Sequence, residues 1–349
     1  MTTSKKSICA VDLFCGIGGL TYGLCKSGVR VKAGVDNDSS CRGAYEHNNP
    51  DTDFIDADIY EVTAERINSY FDEADIRVLV GCAPCQPFSS HTKKYNRGKT
   101  LKRSENFSLL LEIARLIKEC QPDIVSVENV PGLLKEKIYS DFLSILKGLG
   151  YVGETKVVFC PEYGVPQTRK RLVFLASKIG EIRLIPPLYE KPWPTVAQYI
   201  KHLPPIRNGS QSKKDIYHSS LRLTERNLKR IQQSNPGGDW RDWDKRLISP
   251  CQKKAIYFAP YGRMRWDMPA PTITTQFCYY SAGRFGHPTQ NRAISLREGA
   301  LLQTFPKSYR LHDKNTPVAV TKIARHIGNA VPVKLGEAIG ESIMRHVNE

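Results

Sequence analysis

Two cysteines three positions apart, Cys82 and Cys85, have the clearest chemical potential in this sequence of 349 residues. They lie in the segment GCAPCQPFS, the apolar run 78–82 predicts a strand before it, and residues 91–103 hold six basic side chains and no acid. A cysteine at the end of a strand and close to cations is placed to ionise, and the thiolate is the nucleophilic form. The segment therefore predicts a nucleophilic cysteine.

Other uses of a C-x-x-C pair fit this segment less well. A structural zinc site needs a second pair of ligands at metal-binding spacing, and the sequence has none. A zinc deaminase needs the pattern P-C-x-x-C, but position 88 is Phe. A redox pair of the thioredoxin kind stays open in principle, although that motif normally opens a helix and Pro87 follows the second cysteine closely. We expect no metal site.

An acid and two arginines follow in segments that also flank predicted strands. Glu128 directly follows the apolar run 124–127. A carboxyl group at the end of a buried strand could donate a proton. The segment QTRKR places Arg169 and Arg171 on one face of an extended chain, because they are two residues apart. Arginines in such a place could hold a carboxylate, a phosphate or a base carbonyl in a fixed orientation.

A glycine-rich turn, DLFCGIGG, comes between the first predicted strand and the first predicted helix. Gly16, Gly18 and Gly19 let the backbone turn tightly and approach a ligand, and a helix N-terminus offers N–H groups to an anion. These glycines are closer together than in the dinucleotide-binding pattern, and Asp12 ahead of them suits a cationic amino group. The loop favours S-adenosylmethionine over NAD as its ligand, with a simple packing turn as the alternative.

Short apolar runs and helical patterns alternate over the first 180 residues. Strands are predicted at 8–14, 29–36, 54–55, 78–82, 123–127, 152–159 and 171–176, and helices over 106–121, 140–148 and a segment ending near Gly28. This alternation predicts an α/β fold with a parallel, doubly wound sheet. Asp36 and Asp58 end the second and third strands, where a crevice binds ligands and a carboxylate can accept from ribose hydroxyls.

The pattern changes after residue 185, because 185–205 contains six prolines and predicts a hinge. Helical patterns return at 295–304, 317–326 and 334–346. The net charge of +16 is uneven: residues 1–90 carry −5, whereas 201–265 carry +10 with five Tyr and Trp residues interspersed. Such a stretch is typical of a nucleic-acid binder, although a solvated basic face is the alternative.

Composition excludes several classes of protein. The hydrophobic fraction of 40% and the charged fraction of 25% are those of a globular chain, and no apolar run approaches the roughly 18 residues of a membrane span. No secretory leader is recognisable, so the ten cysteines are expected to be reduced thiols. We expect a cytoplasmic protein with no membrane contact.

Eight motifs, in order, resemble those of the DNA cytosine-5 methyltransferases: DLFCGIGGL, GVDND, DADI, PCQPFS, ENV, QTRKR, RAISLREGALLQTFP and GNAVPV. The resemblance covers residues 8–177 and 290–335. It implies a Rossmann-like, S-adenosylmethionine-dependent methyltransferase sheet in a catalytic domain of residues 1–185 and 290–349. Residues 186–289 would form a smaller, irregular target-recognition domain. Such a compact chain is similar to the prokaryotic restriction-modification type of the family.

The resemblance also implies a role for each motif residue. Cys85 would attack carbon 6 of a cytosine flipped out of the duplex, Glu128 would contact ring nitrogen 3 and the exocyclic amine, and Arg169 and Arg171 would orient the base. The residues implied in binding S-adenosyl-L-methionine are Asp12, Phe14, Gly16, Gly18, Gly19, Asp36, Asn37, Asp58, Ile59, Pro84 and Asn329. Two of these depart from the family pattern, since Asp36 stands in place of the usual Glu and Asn37 in place of a frequent aromatic residue.

Double-stranded DNA is the substrate that the resemblance implies. Arg and Gln pair bidentately with guanine and adenine, so the predicted base readers are Arg241, Arg263, Arg265, Gln276 and Arg284. Predicted DNA contacts in and beside the basic loop come from Ser89, Lys93, Lys94 and Arg97. Further expectations are a monomer, a location at the nucleoid and a cognate restriction endonuclease that acts separately.

Three alternative functions stay open, and each explains part of the sequence. A tRNA cytosine-5 methyltransferase would share the fold, but it usually carries the signature Cys-Phe-Thr where this chain has Phe277-Cys278-Tyr279. A catalytically silent binding module would be expected to have lost a motif residue such as Cys85 or Glu128. A nicotinamide oxidoreductase would explain the glycine loop alone.

Overall fold

The computed structural model describes residues 6–84, 101–249 and 260–349, and of 101–108 only the backbone. Contacts divide the chain into two compact units. The first comprises Met1–Phe159, Lys170–Pro187 and Val333–Glu349, and the second comprises Cys160–Arg169 and Leu188–Pro332. Residues 290–332, which the motif pattern groups with the catalytic domain, thus make most of their contacts within the second unit.

A seven-stranded sheet in the order β3-β2-β1-β4-β5-β7-β6 forms the centre of the first unit. Its strands are β1 (Ile8–Leu13), β2 (Arg30–Asp36), β3 (Asp53–Asp56), β4 (Ile76–Gly81), β5 (Ile124–Asn129), β6 (Val152–Phe159) and β7 (Lys170–Ser177). The helices are α1 (Gly19–Ser27), α2 (Arg42–Asn48), α3 (Ala64–Asn68), α4 (Leu101–Cys120), α5 (Lys137–Gly148), α6 (Val196–Ile200), α7 (Glu225–Gln233), α8 (Leu296–Leu302), α9 (Val320–Asn329) and α10 (Val333–Asn348). The strands and helices predicted from the sequence are confirmed, with shifts of a few residues at their ends.

The predicted all-parallel sheet is wrong at one strand. Strand β7 pairs antiparallel with both β5 and β6, while the other pairs are parallel. A parallel connection needs a crossover of about a dozen residues or more. The chain between Phe159 and Lys170 is shorter than this and contains only a short 3₁₀ turn, Cys160–Tyr163. The chain therefore reverses direction between β6 and β7.

The strands at the centre of this sheet are buried on both faces. All six residues of β1 and all six of β5 are buried. Val11, Leu79 and Val125 contribute to a core that also contains Ile117 of α4 and Phe142 of α5. Continuous apolar strands of this kind occur where helices cover both faces of a sheet.

Helices α1 and α10 approach each other more closely than side chains would allow. A Cβ atom on Gly23 of α1 would lie 2.5 Å from the carbonyl oxygen of Val333 and 2.7 Å from the backbone nitrogen of Glu337. On the facing helix, Gly336 lies directly against the backbone of Leu20 and Gly23. Glycine is required at this crossing because the two backbones are in direct contact.

A buried carboxyl group connects β1 to α1. Asp12 is 1% exposed, and the hydroxyl of Thr21 donates to its Oδ2 at 2.7 Å. The same hydroxyl lies 3.1 Å from that of Tyr45 in α2. Burial raises the pKa of Asp12 to about 7, although the hydrogen bond from Thr21 opposes this shift.

The second unit has little regular structure outside its short helices. A small core forms around Ile231 of α7, Trp243 and Tyr280. The guanidinium of Arg230 lies over the rings of Trp243 and Tyr261 at about 5 Å, a distance typical of cation–π contacts. Within the described parts of the chain, no helix combines the length and apolar character that crossing a bilayer requires.

Replacing Gly23 by Ala should destabilise the first unit. The added Cβ would overlap the backbone of α10, and overpacking of this kind costs about 1–3 kcal/mol. The matched control is Gly148→Ala in α5, where a Cβ has no neighbour within 4 Å and should leave stability equal or slightly higher. Free energies of unfolding in urea measure both. Equal stability of the two variants would contradict the close approach of the helices.

Replacing Asp12 by Asn should weaken the pH dependence of stability. Because the pKa of Asp12 in the folded protein lies above its ordinary value of 3.8, the folded state holds a proton that the unfolded chain loses between about pH 4 and 7. Stability therefore falls as pH rises through this window, by up to about 1.4 kcal/mol per pH unit, and this contribution is constant above it.

Unfolding in urea at about pH 5 and about pH 8 measures the difference for the parent, Asp12→Asn and the control Asp51→Asn, whose side chain is exposed. We expect a smaller fall in stability for Asp12→Asn than for the other two proteins. An equal fall in all three would show that Asp12 does not titrate in this window.

Candidate active site

The candidate site residues of the first unit follow the carboxyl ends of neighbouring parallel strands. The glycine loop follows β1, Asp36 ends β2, Cys82 follows β4 and Glu128 lies near the end of β5. The register pairs Leu13 with Gly81 and Gly81 with Val127, so these ends lie side by side. In sheets of this kind the ligand crevice lies outside the carboxyl ends of the strands.

Glu128 is a buried acid at this edge, with 2% of its side chain exposed. The Nε atom of Arg171 lies 2.9 Å from its Oε1, and the thiol of Cys82 donates to its Oε2 at 2.8 Å. A buried carboxylate needs partners of this kind, because burial without them is costly. The carboxyl group is thus held by an ion pair with Arg171 and a hydrogen bond from Cys82.

The segment that leads to Cys85 is attached to the end of β5. The side-chain amide of Asn129 donates to the carbonyl of Ala83 at 3.1 Å, and the backbone N–H of Cys82 donates to the carbonyl of Leu13. Cys85 itself lies outside the described residues, as do Ser89, Lys93, Lys94 and Arg97. Pro84, the last described residue before them, is exposed.

The glycine loop has the left-handed backbone that its sequence suggests. Phe14, Gly16 and Gly18 have φ angles of 62°, 52° and 86°. A Cβ on Gly16 would meet no atom within 4 Å, so there is open space above the loop. The backbone N–H of Gly16 donates to Asp36 Oδ2 at 2.8 Å, which fixes this carboxylate beside the loop.

The other cofactor candidates have different environments. Asp12 is buried under the loop and bonded to Thr21, so its carboxylate does not face solvent. Asp58 follows β3 by two residues and accepts from the backbone N–H of Tyr60, while the side chain of Ile59 is part of the core. Asn37 is exposed directly after β2, Gly19 is the first residue of α1, and Asn329 is the exposed last residue of α9 in the second unit.

Arg169 is buried and bonded to backbone carbonyls. It is 2% exposed and donates to the carbonyls of Ile273 and Gly328, which belong to the second unit, as Arg169 does. Arg171 belongs to the first unit and contacts Glu128. The expectation that both arginines act alike is therefore not met, because alternation along the chain says nothing about what each side chain finds.

Arg263 is also held within the second unit. Its five N–H groups donate to the carbonyls of Ser234, His287, Gln290 and Ile231 and to the side chain of Asn291, at 2.6–2.9 Å. The other predicted base readers are at least partly exposed. Arg241 pairs with Asp239, Arg265 pairs with Asp267, Arg284 lies 3.6 Å from Asp239, and Gln276 is exposed.

The contact between Cys82 and Glu128 is not predicted from the sequence. Gly81 and Val127 are the last paired residues of the parallel strands β4 and β5, so the residues that follow them, Cys82 and Glu128, lie side by side. Gln167, which the QTRKR motif includes, was missed as well. Its buried amide donates to Leu302 O and Gln303 Oε1 and accepts from Ile273 N–H, so it joins three segments of the second unit.

Comparisons with known proteins agree with this arrangement. A family model for C-5 cytosine-specific DNA methylases matches residues 8–345. The Type II methylase M.HgiDII of Herpetosiphon aurantiacus is 48% identical over 342 residues, which are 96% of this chain and 94% of that protein. The Type II methyltransferase M.PspPI of Psychrobacter sp. is 32% identical over 363 residues, with 99% and 80% covered.

Solved structures show the same fold. A DNA modification methyltransferase encoded within an E. coli prophage superposes with a TM-score of 0.76 at 24% identity, covering 98% of this chain and all of that one. The Dnmt2 methyltransferase of S. pombe gives 0.63 at 18% identity, with the same coverage. Together with the family match, this likeness identifies the sheet as the Rossmann-like sheet of S-adenosylmethionine-dependent methyltransferases. The chain belongs to the C-5 cytosine-specific DNA methylases of the prokaryotic restriction-modification type, and it is a DNA (cytosine-5-)-methyltransferase.

Proposed function

We propose that this enzyme methylates a cytosine flipped out of a short, specific duplex sequence, through a covalent adduct with Cys85. One observation carries the proposal. Glu128 is held by Arg171 and Cys82 at the edge of the sheet where the chain enters the Cys85 segment. An acid and a cation in fixed orientation beside a nucleophile fit activation of a planar base.

The chemistry explains why these three groups are needed together. Carbon 5 of cytosine is a weak nucleophile, so direct methylation is slow. Addition of the Cys85 thiolate to carbon 6, with a proton delivered to nitrogen 3, makes carbon 5 enamine-like. After methylation, carbon 5 loses its proton, the bond between sulfur and carbon 6 breaks, and the aromatic ring is restored. Flipping the base costs a few kcal/mol, which contacts to the DNA backbone offset.

Glu128 and Arg171 have distinct parts in this proposal. Glu128 contacts nitrogen 3 and the exocyclic amine of the base, because its carboxyl group lies at the carboxyl edge of the sheet. Arg171 holds Glu128 and reaches the base carbonyl with the rest of its fork. Arg169 is not retained as a base-orienting residue, because it is buried and bonded to carbonyls of the second unit.

S-adenosyl-L-methionine supplies the methyl group when it is bound. The glycine loop fits it: the space above Gly16 is open, and Asp36 is fixed next to that space, where a ribose would lie. The other binding residues of the proposal are Phe14, Gly18, Gly19, Asn37, Asp58, Ile59, Pro84 and Asn329. Asp12 supports the loop from below through Thr21 instead of meeting the ligand.

Target recognition is proposed for residues 186–289, and catalysis for 1–185 and 290–349. The basic charge of 201–265 supports this division, because phosphate contacts dominate affinity for DNA. The retained base readers are Arg241, Arg265, Gln276 and Arg284, and the proposed contacts of the basic loop are Ser89, Lys93, Lys94 and Arg97. Arg263 is not retained, because all its N–H groups are used inside the second unit.

The biological setting of the proposal follows from the relatives. The relative M.HgiDII, 48% identical to this chain, is named as a Type II methylase, which supports a restriction-modification setting. We also propose that this enzyme is a monomer in the cytoplasm, acts at the nucleoid and protects one short sequence from a cognate endonuclease.

Replacing Cys85 by Ala should abolish methylation. Bisulfite sequencing of plasmid DNA from cells that express the parent should reveal protected cytosines in one short motif, and none with Cys85→Ala. The matched control is Cys25→Ala, at an exposed thiol in α1, which should protect as the parent does. Protection that persists in Cys85→Ala would contradict the proposal. No protection by the parent would move the proposal towards tRNA as substrate.

A duplex with fluorine on carbon 5 of the target cytosine should trap the enzyme. The proton that normally leaves carbon 5 is absent, so the bond between Cys85 and carbon 6 cannot break. Denaturing gel electrophoresis should show a covalent complex for the parent in the presence of S-adenosylmethionine, and none for Cys85→Ser. An active parent that forms no adduct would rule out the covalent mechanism.

A further inference from the structure

Two neighbouring segments of the second unit have the same local geometry. In Asp239-Trp240-Arg241 and in Asp244-Lys245-Arg246, the aspartate caps a short 3₁₀ turn and accepts from the backbone N–H of the arginine, at 3.1 and 2.9 Å. In both, the arginine Nε and Nη2 donate to the two carboxylate oxygens, at 2.8 and 2.7 Å in the first and 3.1 and 2.9 Å in the second. The chain thus contains a matched pair of Asp-x-Arg forks.

The two forks differ in their surroundings. The side chain of Asp244 is 39% exposed, whereas that of Asp239 is 1% exposed. The turn before Asp239 is fixed by backbone bonds from Gly237 N–H to Arg263 O and from Arg263 N–H to Gly238 O. Arg263 is itself bonded through all five N–H groups. The turn before Asp239 is therefore hydrogen-bonded to a residue that is firmly held in the second unit.

A second arginine reaches only the buried fork. Arg284, from a distant part of the sequence, places Nη2 3.6 Å from Asp239 Oδ2. Its stem lies across Gly262, where a Cβ would be 2.6 Å from Arg284 Cγ, so the glycine makes room for it. Burial alone would raise the pKa of Asp239, but the hydrogen bonds and charge of Arg241 and the charge of Arg284 bring it below its ordinary value.

Capping the turn does not require this arrangement, because Asp244 performs the same task at the surface. The buried carboxylate instead fixes two arginines whose side chains remain 58% and 38% exposed. The two guanidinium groups thus converge on the carboxylate of Asp239, and Asp242 adds a second negative charge close to Arg241. An oriented guanidinium fork matches the O6 and N7 acceptors of guanine in the major groove.

We infer that Asp239 is a positioning residue for target recognition, which orients Arg241 and Arg284 as one unit that reads guanine in the duplex. This inference rests on the proposed function of the second unit as the recognition region. Asp239 touches no DNA itself. Its effect on methylation is expressed through the two arginines, which lose their fixed orientation when the charge of Asp239 is removed.

The test uses the full-length enzyme and a duplex that contains the motif found by bisulfite sequencing. In a set of duplexes, each guanine of the motif is replaced in turn by 7-deazaguanine, which lacks the N7 acceptor. For the parent, we expect kcat/KM to fall about 10-fold or more at one guanine at least. Asp239→Asn should lose about 10-fold on the natural duplex and show no further loss on the modified one. The control Asp244→Asn should behave as the parent.

Loss of the 7-deazaguanine effect in Asp239→Asn, with the effect kept in Asp244→Asn, supports the inference. A slower Asp239→Asn enzyme that keeps the full effect would show a structural role only and would overturn it. If Asp239→Asn does not fold, Arg241→Lys and Arg284→Lys decide, because both side chains are exposed and lysine keeps the charge but not the fork. Each of these two variants should lose the 7-deazaguanine effect on kcat/KM. If both variants keep this effect, the inference is overturned.

The outcome is distinguishable from a failure of the proposed function. A parent enzyme that methylates its motif but is insensitive to 7-deazaguanine at every position overturns the inference and leaves the proposed function standing. A parent that methylates no DNA overturns both.

Discussion

A carboxylate buried at the end of a sheet needs cations or donors within reach, and Glu128 has both in Arg171 and Cys82. Arg171 reaches it because β7 runs antiparallel to β5, which brings the start of one strand beside the end of the other. A parallel β7 would have placed this arginine at the opposite edge. The parallel strands β1, β4 and β5 bring the glycine loop, the segment leading to Cys85 and the acid to one edge, and the reversed strand adds the cation.

Most of the fold could be predicted from the sequence, because it is encoded locally. Apolar runs between turns identified the strands, and helical spacing identified α4, α5 and α10. The direction of β7 was not encoded in its own composition, since an apolar strand reads the same in either direction. It depended on the length of the preceding connection, which is too short for a crossover. The close crossing of α1 and α10 was equally hidden, because it joins residues from opposite ends of the sequence.

In the candidate site, residue type alone does not predict which side chains are free to contact a ligand. Arg169, Arg263 and Arg241 look alike in the sequence, yet the first two are buried among backbone carbonyls and the third is exposed on a carboxylate. The role of an arginine depends on the acceptors that it meets, and for Arg169 one of these lies 159 residues away in the sequence. Asp239 and Asp244 are a second example. Both lie in the pattern Asp-x-Arg and form the same fork, and only tertiary packing makes one carboxylate buried and the other exposed.

The crossing of α1 and α10 also has a consequence for how the protein is made. Helix α10 is synthesised after the whole second unit, and α1 long before it. The partner surface of α1 is therefore missing on the ribosome until residues 188–332 have been translated. A chain that terminates within residues 188–332 lacks this helix as well as the rest of the second unit. The order of synthesis thus makes completion of the first unit depend on prior synthesis of the whole second unit.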